Sequence, residues 1–177
     1  MANNFLYSLA LATALVGCAT TGAREVSPRY ESSNTRSATP HHVGRPSGPT
    51  ETRRAQNILE IETNGYDVSL EHYLRSGRNT IVNLGASWCS PCQFLKYDIA
   101  HRGQNFPDLD FLTVDLDYTD ENGQRIVSPA ERYLNGTNGI PYFLFYRDSG
   151  LVGTYTFDPY ENGRPLDIAI RHFRSSK

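Results

Sequence analysis

The twelve residues from Ile81 to Cys92, IVNLGASWCSPC, constrain this chain more than any other stretch. Thr80 to Leu84 is apolar and β-branched enough to read as a buried central strand. Pro91 then opens a run at helical spacing, Phe94, Leu95 and Ile99, reaching about His101. The turn between strand and helix delivers two cysteines, Cys89 and Cys92, to the helix start. A cysteine there faces free backbone N–H groups and the positive end of the helix dipole, and both favour thiolate over thiol. Such sites bring a cysteine pKa from about 8.5 to about 7 or lower. Cys92, one turn on, can reach Cys89 and close a disulfide. It lies deeper and further from the dipole's end, so Cys89 reads as the attacking sulfur and Cys92 as the resolving one.

The surrounding pattern is that of one small α/β domain over 57–177. Ile58 to Ile61 is a strand candidate, and Asp67 to Arg75 a short helix with Gly77 behind it. Asp110 to Leu116 reads as a strand. Ser128-Pro129-Ala130-Glu131 combines an N-cap, a proline at the first helical position and a capping-box glutamate, and Asn135-Gly136 closes that helix. Tyr142 to Tyr146 and Leu151 to Phe157 are strands joined by a hairpin signal, Arg147 to Gly150. Pro165 to Phe173 ends the series as an amphipathic helix. The order β-α-β-α-β-α-β-β-α predicts a mixed central sheet, parallel where helices cross over and antiparallel at the hairpin, flanked by helices.

Ahead of this domain the composition changes twice. Phe5 to Val16 is an uncharged run too short for the roughly 20 residues of a spanning helix, but of signal-peptide length. It ends in Leu15-Val16-Gly17-Cys18, which resembles the lipobox of bacterial lipoproteins, although residues 1–17 contain no Lys or Arg. The resemblance implies a signal peptide over 1–17, cleavage before Cys18 and acylation of that cysteine. The acyl chains would anchor it durably. Ala19, in place of Asp, resembles outer-membrane sorting, with the domain facing the periplasm. From Ala19 to Gln56 there is no Leu, Ile, Phe, Met or Trp, so 18–56 is expected to be a disordered tether. Seventeen basic against 19 acidic residues leave a net charge of −2. No basic excess exists to hold a phosphate backbone, which argues against nucleic acid as a partner.

VNLGASWCSPC most resembles the strand-to-helix motif of TlpA-like extracytoplasmic thiol–disulfide oxidoreductases of the thioredoxin superfamily. Gly139-Ile140-Pro141, followed by the apolar Tyr142 to Phe145, is similar to the cis-proline loop of that family. The resemblance implies a thioredoxin fold, with Ile140 and Pro141 as a substrate platform and Trp88 as its apolar wall. Ser90 and Pro91 between the cysteines, with Ile140, resemble reductants more than oxidants. No separate cofactor is implied beyond a redox-active Cys89–Cys92 disulfide. The expected partners are protein disulfide clients and, for a reductase in an oxidising compartment, a transmembrane electron donor. Three departures stand out. Asn83 replaces the buried Asp that accepts a proton in cytoplasmic members, and no Lys accompanies it between Phe111 and Leu116. That leaves water or one of Asp115, Asp117, Asp120 and Glu121 as acceptor. Gly85 replaces an aromatic, implying room near the site.

Two other readings compete. The same fold could serve as a non-catalytic binding or envelope-assembly lipoprotein with its cysteines resting as a disulfide. A metal carrier is disfavoured, because Zn²⁺ needs about four ligands and His72, His101 and His172 show no ligand spacing. Trp88, Tyr73, Phe94 and Tyr97 read individually as packing residues.

Overall fold

Strand β3 (Asn79–Gly85) is buried along nearly its whole length and lies inside a six-stranded sheet of order β1-β2-β4-β3-β7-β8. Its neighbours are β4 (Leu109–Asp115), parallel to it, and β7 (Tyr142–Arg147), antiparallel. β2 (Ile58–Glu62) lies parallel to β4, and the edges are β1 (Thr50–Ala55) and β8 (Gly150–Thr156). The computed structural model describes residues 46–137 and 139–176. The expected signal peptide, Cys18, Ala19 and the tether as far as residue 45 lie outside the described residues.

Alternation along the strands divides the core in two. On one face Ile58, Ile81, Phe111, Phe143 and Phe145 pack beneath α1 (Ser90–Arg102) and α2 (Pro165–Ser175). On the other, Val82, Leu84, Leu112, Val114 and Leu144 are covered by Leu70 and Ala130 from two short 3₁₀ turns. The β7–β8 hairpin turns on Asp148 and Ser149, both at positive φ, as its sequence predicts.

Four expectations are corrected. The tether does not run to Gln56, because Thr50–Ala55 pairs antiparallel with β2. The helix read over 67–75 is a single 3₁₀ turn, Leu70–Tyr73, and the one after Ser128 is 3₁₀ over Pro129–Leu134. Ser128 caps that segment as expected, its hydroxyl accepting from the Ala130 amide at 3.1 Å. A two-stranded hairpin, β5 (Asp117–Thr119) and β6 (Arg125–Val127), stands between β4 and this turn. Finally, α1 buries Cys92, Leu95, Asp98 and Ile99, while Phe94 and Tyr97 face solvent and are not packing residues.

At the far end of β4, Asp110 is clamped by Arg75 (2.8 and 2.5 Å) and Arg78 (2.9 Å). Burial alone would raise its carboxyl pKa, but the two guanidiniums outweigh burial and hold it below the ordinary value. A depressed folded-state pKa adds stability above the unfolded value of about 3.9, lost as pH falls through the folded one. Asp110→Asn is therefore expected to lose about 2 kcal/mol at pH 7, a discounted figure because both arginines are part-exposed. Urea melts should show the deficit shrinking as pH falls from the ordinary carboxylate range through the depressed folded-state value. A deficit independent of pH would rule out the ion pairs as its source.

Candidate functional site

Beyond Gly85 the chain leaves the sheet through Ala86, Ser87 and Trp88 and enters α1 with Cys89 as its N-cap. Pro91 sits in the first turn, where its missing N–H removes nothing the helix needs. The loop is fixed at both ends. The buried Asp117 carboxylate accepts from the Ser87 amide (2.8 Å) and hydroxyl (3.2 Å), while Gln93 Nε2 donates to the Ala86 carbonyl (3.0 Å).

Cys89 and Cys92 form a disulfide with 5.2 Å between their Cα atoms. The Cys92 amide points at Cys89 Sγ from 3.2 Å, as a side-chain cap does. Both cysteines are buried, Cys92 slightly more so (2% exposed against 5%). Cys89 Sγ lies 3.8 Å from the carbonyl oxygen of Ile140, which precedes Pro141 through a cis peptide bond. Trp88 is 58% exposed beside them, with the Arg125 guanidinium 4.6 Å over its ring. Trp88, Ile140, Val127 and Leu134 line a groove of about 270 Å³ next to the disulfide, with Arg125 and Glu131 among its polar groups.

The structure thus brings together Cys89, Cys92, Trp88, Ile140 and Pro141. Ser90 and Pro91 form the exposed start of the helix. Asn83 lies two residues before Gly85 on the same strand face and is 1% exposed, and neither polar atom of its side chain has a hydrogen-bond partner among the described residues. Gly85 leaves no space toward α1: a Cβ there would stand 2.9 Å from Cys92 Cβ and 3.2 Å from its Sγ. Cys92 itself fills the place where room was expected.

Of the carboxylates, Asp117 is committed to Ser87, and Asp120 accepts from the Asn122 and Gln124 amides in the β5–β6 turn, where Glu121 also lies. Asp115 is buried and receives Lys96 Nζ at 2.9 Å. Burial alone would push the Lys96 ammonium pKa down. Asp115, with Glu60 and Glu62 each 3.8 Å away, outweighs burial and holds it above its ordinary value. The cation missing from β4 is therefore supplied by α1. Its only trace in the sequence is that Lys96 stands four residues after Cys92, on the same helix face. Among the described residues no group of three or more His, Cys, Asp or Glu is placed to hold a metal ion, and no helix is long and apolar enough to cross a membrane.

Comparison with known proteins places this geometry. A family profile described as thioredoxin-like matches residues 61–147. A thioredoxin from Geodia cydonium is 30% identical over 83 residues, which cover 47% of this chain and 70% of that protein. An H-type thioredoxin from Oryza sativa subsp. indica is 32% identical over 83 residues, but only 61% of its length is spanned. Among solved structures, Schistosoma mansoni thioredoxin aligns with a TM-score of 0.48 at 16% identity, over 67% of this chain and 94% of the other.

Proposed function

The chain belongs to the thioredoxin-like family, with Cys89–Cys92 as its thiol–disulfide redox pair, and we propose that the whole protein reduces protein disulfides in a bacterial cell envelope. One observation carries this reading: the Cys92 amide and the first turn of α1 are aimed at Cys89 Sγ. Once the disulfide is reduced, the same amide favours the thiolate, the form that attacks a client disulfide. Ile140 and Pro141 beside that sulfur, with Trp88 across the groove, suit an extended client peptide.

The anchoring part of the proposal rests on Leu15 to Cys18 alone. Acylated Cys18 would hold the protein at the membrane, Ala19 favours the outer one, and a transmembrane donor would return electrons to the pair. The stretch from Ala19 to Pro49 would reach about 100–110 Å if fully extended.

The test is insulin reduction by the full chain, together with its equilibrium potential against glutathione. Turnover is expected, with a potential in the more reducing half of the span from about −270 to about −120 mV. A pair that equilibrates with glutathione but turns over no protein disulfide would instead support the non-catalytic binding reading. Labelling with a radioactive fatty acid tests the anchor separately, and label retained in Cys18→Ala would remove it.

A further inference from the structure

The face of the sheet beneath α1 carries a polar strip that the two cysteines do not account for. Register places Asn83 beside Thr113 and Thr113 beside Glu60, and on the next rung Gly85 beside Asp115 and Asp115 beside Glu62. Asn83 Nδ2, Asn83 Oδ1 and Thr113 Oγ1 are buried without a hydrogen-bond partner among the described residues. Leaving such atoms unpaired in the interior is costly, and an internal water relieves that cost. Cys92 rests on Gly85, which has no side chain of its own and pairs with Asp115 on the neighbouring strand. One turn further along α1, Lys96 reaches down to Asp115.

Resting on the oxidoreductase reading, we propose that Asp115 is the proton acceptor for Cys92, reached through a water held by Asn83 and Thr113. The groups facing this strip are Glu60 and Glu62 from β2, Arg54 from β1, Asp115 from β4, and Cys92 and Lys96 from α1. Three carboxylates meet two cations, leaving one negative charge in excess. Asn83 holds the water and contributes no charge.

In the step itself, Cys89 is already joined to one client sulfur. The Cys92 thiol proton passes through the water to an Asp115 carboxylate oxygen. The thiolate attacks Cys89 Sγ, the Cys89–Cys92 bond forms, and the Cys89–client bond breaks. The client sulfur leaves with the electron pair, and two electrons in all pass from the dithiol to the client.

The test follows a single turnover of the reduced full chain, carrying Cys18→Ser, with dithiobis-nitrobenzoate in stopped flow. The first aryl thiolate released reports attack by Cys89, and the second reports resolution by Cys92. Asp115→Asn is expected to slow the second phase about a hundredfold at pH 7, a typical general-base contribution. Adding Asn83→Asp to that variant should restore most of the rate by placing a carboxylate on the neighbouring rung. Lys96→Met should move the acidic limb of the second-phase pH profile to higher pH, because the strip loses one of its two positive charges. A packing role for the Lys96–Asp115 pair would leave that limb in place. If Asp115→Asn does not fold, the Lys96→Met profile carries the test alone. An unchanged second phase in Asp115→Asn, or an unmoved limb in Lys96→Met, overturns the proposal. Loss of the first phase in the parent chain would instead sink the oxidoreductase reading.

Discussion

Cys89→Ser is expected to lower the proposed disulfide reductase activity more than about a thousandfold, because removal of a nucleophile abolishes the reaction it begins. Serine fits the N-cap and still accepts from the Cys92 amide, so the fold should be kept. What is lost is the sulfur itself, because a helix start favours a thiolate but cannot bring a hydroxyl to ionise near neutral pH. Cys92→Ala should behave differently: Cys89 still attacks, and the mixed disulfide then has no resolving partner. On non-reducing gels this variant should accumulate client adducts, and Cys89→Ser/Cys92→Ala should show none. Adducts persisting in the double variant would mean that the nucleophile lies elsewhere.

The strand–CxxC–helix unit and the β7–β8 hairpin were legible in the sequence because each carries its own local signal: a β-branched run ahead of Pro91, and a two-residue turn between apolar strands. β1 carried none. Its TETRRA has no apolar alternation, since an edge strand is held by backbone bonds to β2 and leaves its side chains largely in water. Helical spacing misses the buried stripe of α1 for a related reason. Asp98 lies in it, paired with Arg102 at 3.0 Å, so a charged residue stands where periodicity expects an apolar one, and the spacing selects Phe94 instead. Lys96, Glu60 and Asp115 come from three elements and meet only through strand register, which composition and spacing do not encode. The same holds for Arg125 over Trp88, because the hairpin that carries Arg125 has strands of three residues each.

Gly85→Trp, which restores the aromatic implied at this position by the resemblance to TlpA-like proteins, is expected to destabilise the fold by about 3 kcal/mol, the upper end for overpacking. The obstacle is the first atom added. A Cβ at residue 85 would stand 2.9 Å from Cys92 Cβ, and that neighbour belongs to the first turn of a helix pinned by Pro91 and by the packing of Leu95 and Ile99. The side chain cannot be accommodated by rotating a flexible tip; α1 itself must lift from β3. Lifting it would also draw Cys92 away from the polar strip, so resolution of the mixed disulfide should slow along with the loss of stability. Gly85→Ala isolates the steric part and should cost about 1 kcal/mol, with a smaller slowing. Urea midpoints and the second aryl-thiolate phase measure the two effects in the same samples. A tryptophan variant with a wild-type midpoint and an unchanged second phase would show that α1 yields freely, and that the close seat of Cys92 on Gly85 has no part in setting either stability or resolution.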